Sequence, residues 1–74
     1  MMMHSWQYRG RSIRIETALG DDGKYFVKEI RAEVRKAGAV VLDDMPYQSI
    51  RDADEATVVQ KATFDASVYV QNRL

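Results

Sequence analysis

The sequence predicts an α+β fold, a three-stranded antiparallel meander packed on one long C-terminal helix. Three observations carry that prediction. Apolar and polar residues alternate through the first half, the reversals Leu19-Gly20-Asp21-Asp22-Gly23 and Ala37-Gly38 divide that half into strands, and a helical period follows the acids at Asp52, Asp54 and Glu55. The 74 residues are read as one domain, with the sheet over 8–44 and the helix over 52–73.

Met1 to Ser5 are expected to form a frayed end, and the three consecutive Met codons leave the true start open. Residues 8–16 read as the first strand, with Ile13 and Ile15 inward and Ser12, Arg14 and Glu16 outward. Tyr8 has the wrong parity for that face, so a bulge or tight bend is expected at Arg9-Gly10. Trp6 is then placed to cover the end of the core. Asp22-Gly23 supplies the positive-φ positions of a hairpin, and the second strand opens at Lys24-Tyr25-Phe26-Val27.

Residues 28–37 fit two periods. Ile30, Val34 and Ala37 have helical spacing, with Gly38 suited to follow a helix end. The strand reading is preferred, because Phe26, Ile30, Ala32 and Val34 share one face while Glu29, Arg31, Glu33 and Arg35 alternate in sign on the other. Ala39-Val40-Val41-Leu42 reads as a buried third strand ending at Asp43-Asp44, and Met45 to Ser49 as a connector in which Pro46 cannot donate to a ladder. Asp52 as N-cap and Glu55 at N3 form an aspartate version of the capping box, Ser49 with Asp52 offers a second box one turn earlier, and Arg73 suits the negative end of the helix.

Winding residues 53–74 at about 100° per residue gathers Ala56, Val59, Ala62, Thr63, Ala66, Tyr69 and Val70 on the side that packs on the sheet. Small side chains there let helix and sheet approach closely, with bulk from Phe26, Ile13 and Ile30. Phe64 and Val68 point away from that side and Val58 lies on its flank. Such a pair, four residues apart, is the stripe through which a helix meets a second copy, so a homodimer is expected with Phe64, Val68 and Val58 as partner-binding residues. Another protein is the alternative partner. Cover by the connector, or plain exposure, is the competing structural explanation.

Composition narrows the chemistry. Eleven basic and eleven acidic residues cancel, so no global field attracts nucleic acid, anionic lipid or acidic substrates. The chain has no Cys and one histidine, His4, which leaves no catalytic triad and no three-ligand zinc site of the usual kind. The acids at Asp21-Asp22, Asp43-Asp44 and Asp52-Asp54-Glu55 have structural roles available as turn, strand end and helix cap. Gly20-Asp21-Asp22-Gly23 lacks the lysine and serine context of a phosphate loop. No catalytic residue, metal or cofactor is therefore expected, and the protein is read as non-enzymatic. With neither a signal-peptide core nor an apolar run of spanning length, it is expected to be cytoplasmic with no membrane contact.

The second reading is a single-stranded nucleic-acid platform formed by Trp6, Tyr8, Arg9, Arg11 and Arg14, because cations mixed with aromatics stack bases and neutralise phosphates. The structural alternative pairs Arg11 and Arg14 across strands with Glu29 or Glu33 and assigns the aromatics to the core edge.

The run Tyr8-Arg9-Gly10-Arg11-Ser12-Ile13, then Gly23-Lys24-Tyr25-Phe26-Val27, then Ile50-Arg51-Asp52-Ala53-Asp54-Glu55-Ala56 resembles small stand-alone bacterial β-β-β-α domains of unknown function. Its layout is also similar to the N-terminal half of HicB-type antitoxins, which implies an antitoxin-type module as a further alternative. The chain has no Pro-Gly-Cys-type segment between the second and third strands and no appended DNA-binding helix-turn-helix or ribbon, so no functional residue is carried over from that family.

Overall fold

The computed structural model describes residues 2–74. Two strands rather than one precede the Asp-Gly hairpin: β1 (Met2–Tyr8) pairs antiparallel with β2 (Arg11–Leu19), from Met2 opposite Thr17 to Tyr8 opposite Arg11. Arg9 and Gly10 both have positive φ, 50° and 78°, the combination a two-residue reversal between right-twisted strands requires. The wrong parity of Tyr8 therefore marks a chain reversal, not a bulge. Residues 2–5, expected to fray, lie within β1, because His4, Trp6 and Tyr8 give that segment an inward face. Met1 lies outside the described residues.

β3 (Tyr25–Lys36) is a single twelve-residue strand, so the helical reading of 28–37 does not hold. Ladders to β2 on one side and β4 on the other satisfy its backbone, an arrangement no local helical spacing can outweigh. The register against β2 shifts between Glu16, opposite Glu29, and Thr17, opposite Val27, which leaves Lys28 as the extra residue of a bulge. The shift turns Val27 into the core and Phe26 out of it. Phe26, expected inside, instead lies under the Arg51 guanidinium, 5.0 Å from the ring centre.

β4 (Ala39–Asp44) follows the Ala37-Gly38 reversal, whose φ values of 52° and 82° repeat the geometry of the first hairpin. It pairs only with β3 and forms one edge of the sheet, so its apolar run is exposed rather than buried as the sequence suggests. The chain then tucks Met45 and Ile50 into the core and adds the two-residue β5 (Arg51–Asp52) beside Tyr25 and Phe26 of β3. The sheet order is β1-β2-β3-β4, with β5 beside the far end of β3. The architecture is thus α+β, with four strands and a short fifth where three were predicted.

α1 (Glu55–Gln71) is capped two residues later than expected. Asp52 is held in β5, and Asp54 is the N-cap, accepting the N–H of Ala56 at 3.3 Å and the hydroxyl of Thr57 at 3.1 Å. Asp52 supports it by accepting the Asp54 N–H at 3.0 Å. Arg73 lies beyond the last turn, donates to the Tyr69 carbonyl at 3.2 Å and stacks on the Tyr69 ring. The buried stripe is Val58, Ala62, Ala66 and Val70, at four-residue spacing; Ala56, expected beneath the helix, is exposed. α1 packs mainly on β3 and β2, touches β5 and β1, and leaves β4 largely uncovered. The core between the layers is completed by Ile13, Ile15, Val27, Ile30, Ala32 and Val34, with Trp6 and Tyr8 packed at its margin.

Candidate interaction surface

Phe64 and Val68 sit one turn apart on the flank of α1 that faces the β4 side of the sheet, and they are 69% and 46% exposed. Between that flank and the connector runs a groove, walled by Phe64, Val68 and Tyr69 on the helix and by Met45, Pro46 and Tyr47 below. Tyr47 fixes the lower wall by donating its hydroxyl to the Val27 carbonyl at 3.1 Å, and partial burial pushes its phenol above the ordinary value. The connector therefore borders the pair without covering it. Val58 is different. It is fully buried between α1 and the sheet, so it belongs to the core and not to a partner surface. Val58 opens the buried stripe that continues through Ala62, Ala66 and Val70 at four-residue spacing.

The five residues read as a nucleic-acid platform are not brought onto one surface. Trp6 and Tyr8 face inward against the core, and the Tyr8 hydroxyl donates to Gln71 Oε1 at 3.1 Å. Arg9 occupies the reversal, 5.8 Å from the Tyr8 ring centre. Arg11 is half-buried opposite Tyr8, with its Nε unpaired among the described residues. Arg14 is exposed on the opposite sheet face, where it stands between Ser5 and Arg31. Acids neutralise that face: Arg31 Nε donates to Glu29 at 2.8 Å and to Asp44 at 3.0 Å, which holds its pKa above the ordinary value. Glu33 accepts the Ser12 N–H at 2.6 Å, and that bond, with Arg11 and Arg14 nearby, holds its carboxyl below the usual range.

Sequence reasoning missed one polar cluster. The Thr17 hydroxyl, fully buried, donates to Glu55 Oε2 at 3.0 Å, and His4 Nε2 lies 3.5 Å from Thr17 Oγ1 and 3.7 Å from Glu55 Oε2. His4 meets both partners through the same nitrogen. The cluster fastens β1 and β2 to the first turn of α1. Its signal in the sequence was the placement of His4 at strand parity with Trp6 and Tyr8, which becomes readable only once 2–8 is recognised as a strand.

The remaining acids are tied locally. Asp22 accepts the Lys24 N–H at 3.0 Å and pairs with Arg51 at 2.8 Å, which lowers its pKa. A side chain at Gly20 would meet this pair, since a Cβ there falls 2.9 Å from Asp22 Oδ1 and 3.0 Å from the Arg51 guanidinium. Asp43 holds Lys36 at 3.0 Å and raises its pKa. Among the described residues no group of three or more His, Cys, Asp or Glu is arranged to hold a metal ion, and no helix is long and apolar enough to cross a membrane. No family model, no curated protein and no solved structure matches the chain.

Proposed function

We propose that this chain is a non-enzymatic protein–protein interaction module that associates with itself. The observation that supports this reading is the exposed Phe64 and Val68 pair at the rim of a preformed groove. Burying a large apolar side chain contributes about 1.5–3 kcal/mol, and a two-fold contact uses each residue twice. The groove is rigid on both sides, because the helix is packed on the core and the connector is pinned through Tyr47. Little ordering cost opposes docking there.

Light scattering through the micromolar range tests the reading. The expected mass is twice that of one chain, equal at low and physiological salt, because apolar contacts carry no counterion term. Phe64→Ser should shift the equilibrium toward single chains while leaving the fold intact, as its side chain lies outside the core. A single-chain mass at every concentration rejects self-association.

A further inference from the structure

β4 is the least protected element of the sheet. Met45 N–H donates to the Ile30 carbonyl, one step beyond Asp44 opposite Arg31, so Met45, Asp43, Val41 and Ala39 are the residues bonded to β3. By the alternation of an antiparallel ladder, the N–H and C=O groups of Val40, Leu42 and Asp44 point off the free edge. The side chains are equally bare: Val40, Val41 and Leu42 are 44%, 37% and 39% exposed, on alternating faces of a strand that α1 does not cover. Natural edges are blunted by lysine, proline or a bulge. Ala39 to Leu42 has none of these, and the acids that follow are already neutralised within the chain, Asp43 by Lys36 and Asp44 by Arg31. The opposite edge differs, since His4, Trp6 and Tyr8 of β1 turn inward against their own chain and its outer face carries Ser5 and Gln7 beside a single apolar residue, Met3.

We infer that β4 is the seam between two copies of this chain, a deepening that rests on the self-association proposed above. The two β4 strands pair antiparallel about a two-fold axis through Val41, perpendicular to the sheet, and join two four-stranded sheets into one of eight. The strand is complementary to itself in this register. Val40 and Leu42 exchange hydrogen bonds with the partner's Leu42 and the partner's Val40, and place an apolar pair on the outer face at each position. Val41 faces its own symmetry mate at a non-hydrogen-bonded site, where Cα atoms approach to about 4.5 Å and side chains pack closest. Charge fits as well: Asp43 falls opposite the partner's Ala39 and Asp44 opposite the partner's Gly38, so no acid faces an acid.

The perpendicular axis keeps both helices on one side of the joined sheet, with each Phe64 and Val68 flank turned toward the seam. A specific interface buries at least about 1,000 Å², and a six-residue strand pair needs the added surface these flanks supply.

Leu42→Pro tests the seam, because it deletes an N–H that points off the edge while sparing the bonds to β3. The expected result is at least a tenfold weaker dimer, from the loss of one intermolecular bond per copy at about 0.5–1.5 kcal/mol each together with the altered edge. Hydrogen exchange on the unaltered chain gives a second measurement that does not depend on the variant folding. The Val40 and Leu42 amides should be protected in concentrated solution and exchange freely on dilution, while the Val41 amide stays protected in both. A dimer in which the Val40 and Leu42 amides exchange freely, and which Phe64→Ser alone dissociates, overturns the β4 seam and leaves self-association standing. A single-chain mass throughout overturns both. Assemblies that keep growing with concentration indicate head-to-tail pairing of β1 on β4 and overturn the closed two-fold.

Discussion

Glu33 shows how a single carboxylate can couple strand pairing to pH. Its Oε1 accepts the Ser12 N–H at 2.6 Å, with Arg11 and Arg14 adding positive potential, and all three effects favour the charged form and hold the carboxyl below its ordinary 4.5. A carboxyl whose pKa is lowered on folding contributes stability that is complete above its unfolded value and is lost as pH falls through the folded value. Asp22 acts in the same direction, through the Lys24 N–H first and Arg51 after it. The melting temperature should therefore be level above about pH 5 and decline on acidification below that. Glu33→Gln should flatten the acid limb, a difference that melting curves at a series of pH values would read; equal slopes for the two proteins would show that the Ser12 bond has no net effect. At this scale the sequence was a mixed guide. The exposure of Phe64 and Val68 on the helix was legible from spacing alone. The outward turn of Phe26 was not, because it depends on the extra residue Lys28 in β3, and a bulge has no composition of its own to read; Val58 was placed on the flank although it stands at four-residue spacing with the buried Ala62, Ala66 and Val70.

At the scale of elements, local chemistry competes with pairing, and pairing wins where the two conflict. Asp52 and Asp54 are both good N-caps by type. β5 decides between them, because Asp52 pairs with Tyr25 and so cannot also open the helix. Asp54→Ala should accordingly cost about 1 kcal/mol, a fall of roughly 4–8 °C in melting temperature for a domain of this size. Asp52→Ala should cost less, since it loses one bond to the Asp54 N–H and leaves the cap in place. Denaturant midpoints for the two variants check the order, and the reverse order would return the cap to Asp52. The same competition explains which elements were legible. The Asp22-Gly23 and Ala37-Gly38 reversals announce themselves through glycine, and β3 follows from its alternation despite good helix formers. Arg9-Gly10 is a weaker signal, because a two-residue reversal favours Asn, Asp or Gly at the position Arg9 fills at φ 50°. Missing that reversal hid β1, and with β1 the contact of His4 with Thr17 and Glu55.

For the whole molecule, the question is whether one copy holds enough core. The chain has 74 residues, no disulfide and no aromatic ring among its fully buried side chains, the largest of which are isoleucines and valines. Helix covers one face of the sheet only, and the other face is a solvated array of Arg14, Arg31, Glu29 and Glu33. Domains of this size commonly need help from outside their own core. Association through β4 and the Phe64 flank would supply it, and in that case folding and pairing are linked by mass action. Diluting a dimer a hundredfold removes up to about 2.7 kcal/mol of linked stability. At roughly 4–8 °C per kcal/mol, the melting temperature should fall by on the order of 10 °C. The variant that breaks the seam separates this effect from aggregation or adsorption: Leu42→Pro should melt closer to the dilute value of the unaltered chain and lose less on the same dilution. A melting temperature that stays constant on dilution of the unaltered chain would mean that the twelve buried apolar residues among those described suffice by themselves. The bare edge of β4 would then be tolerated by the monomer and not completed by a second copy.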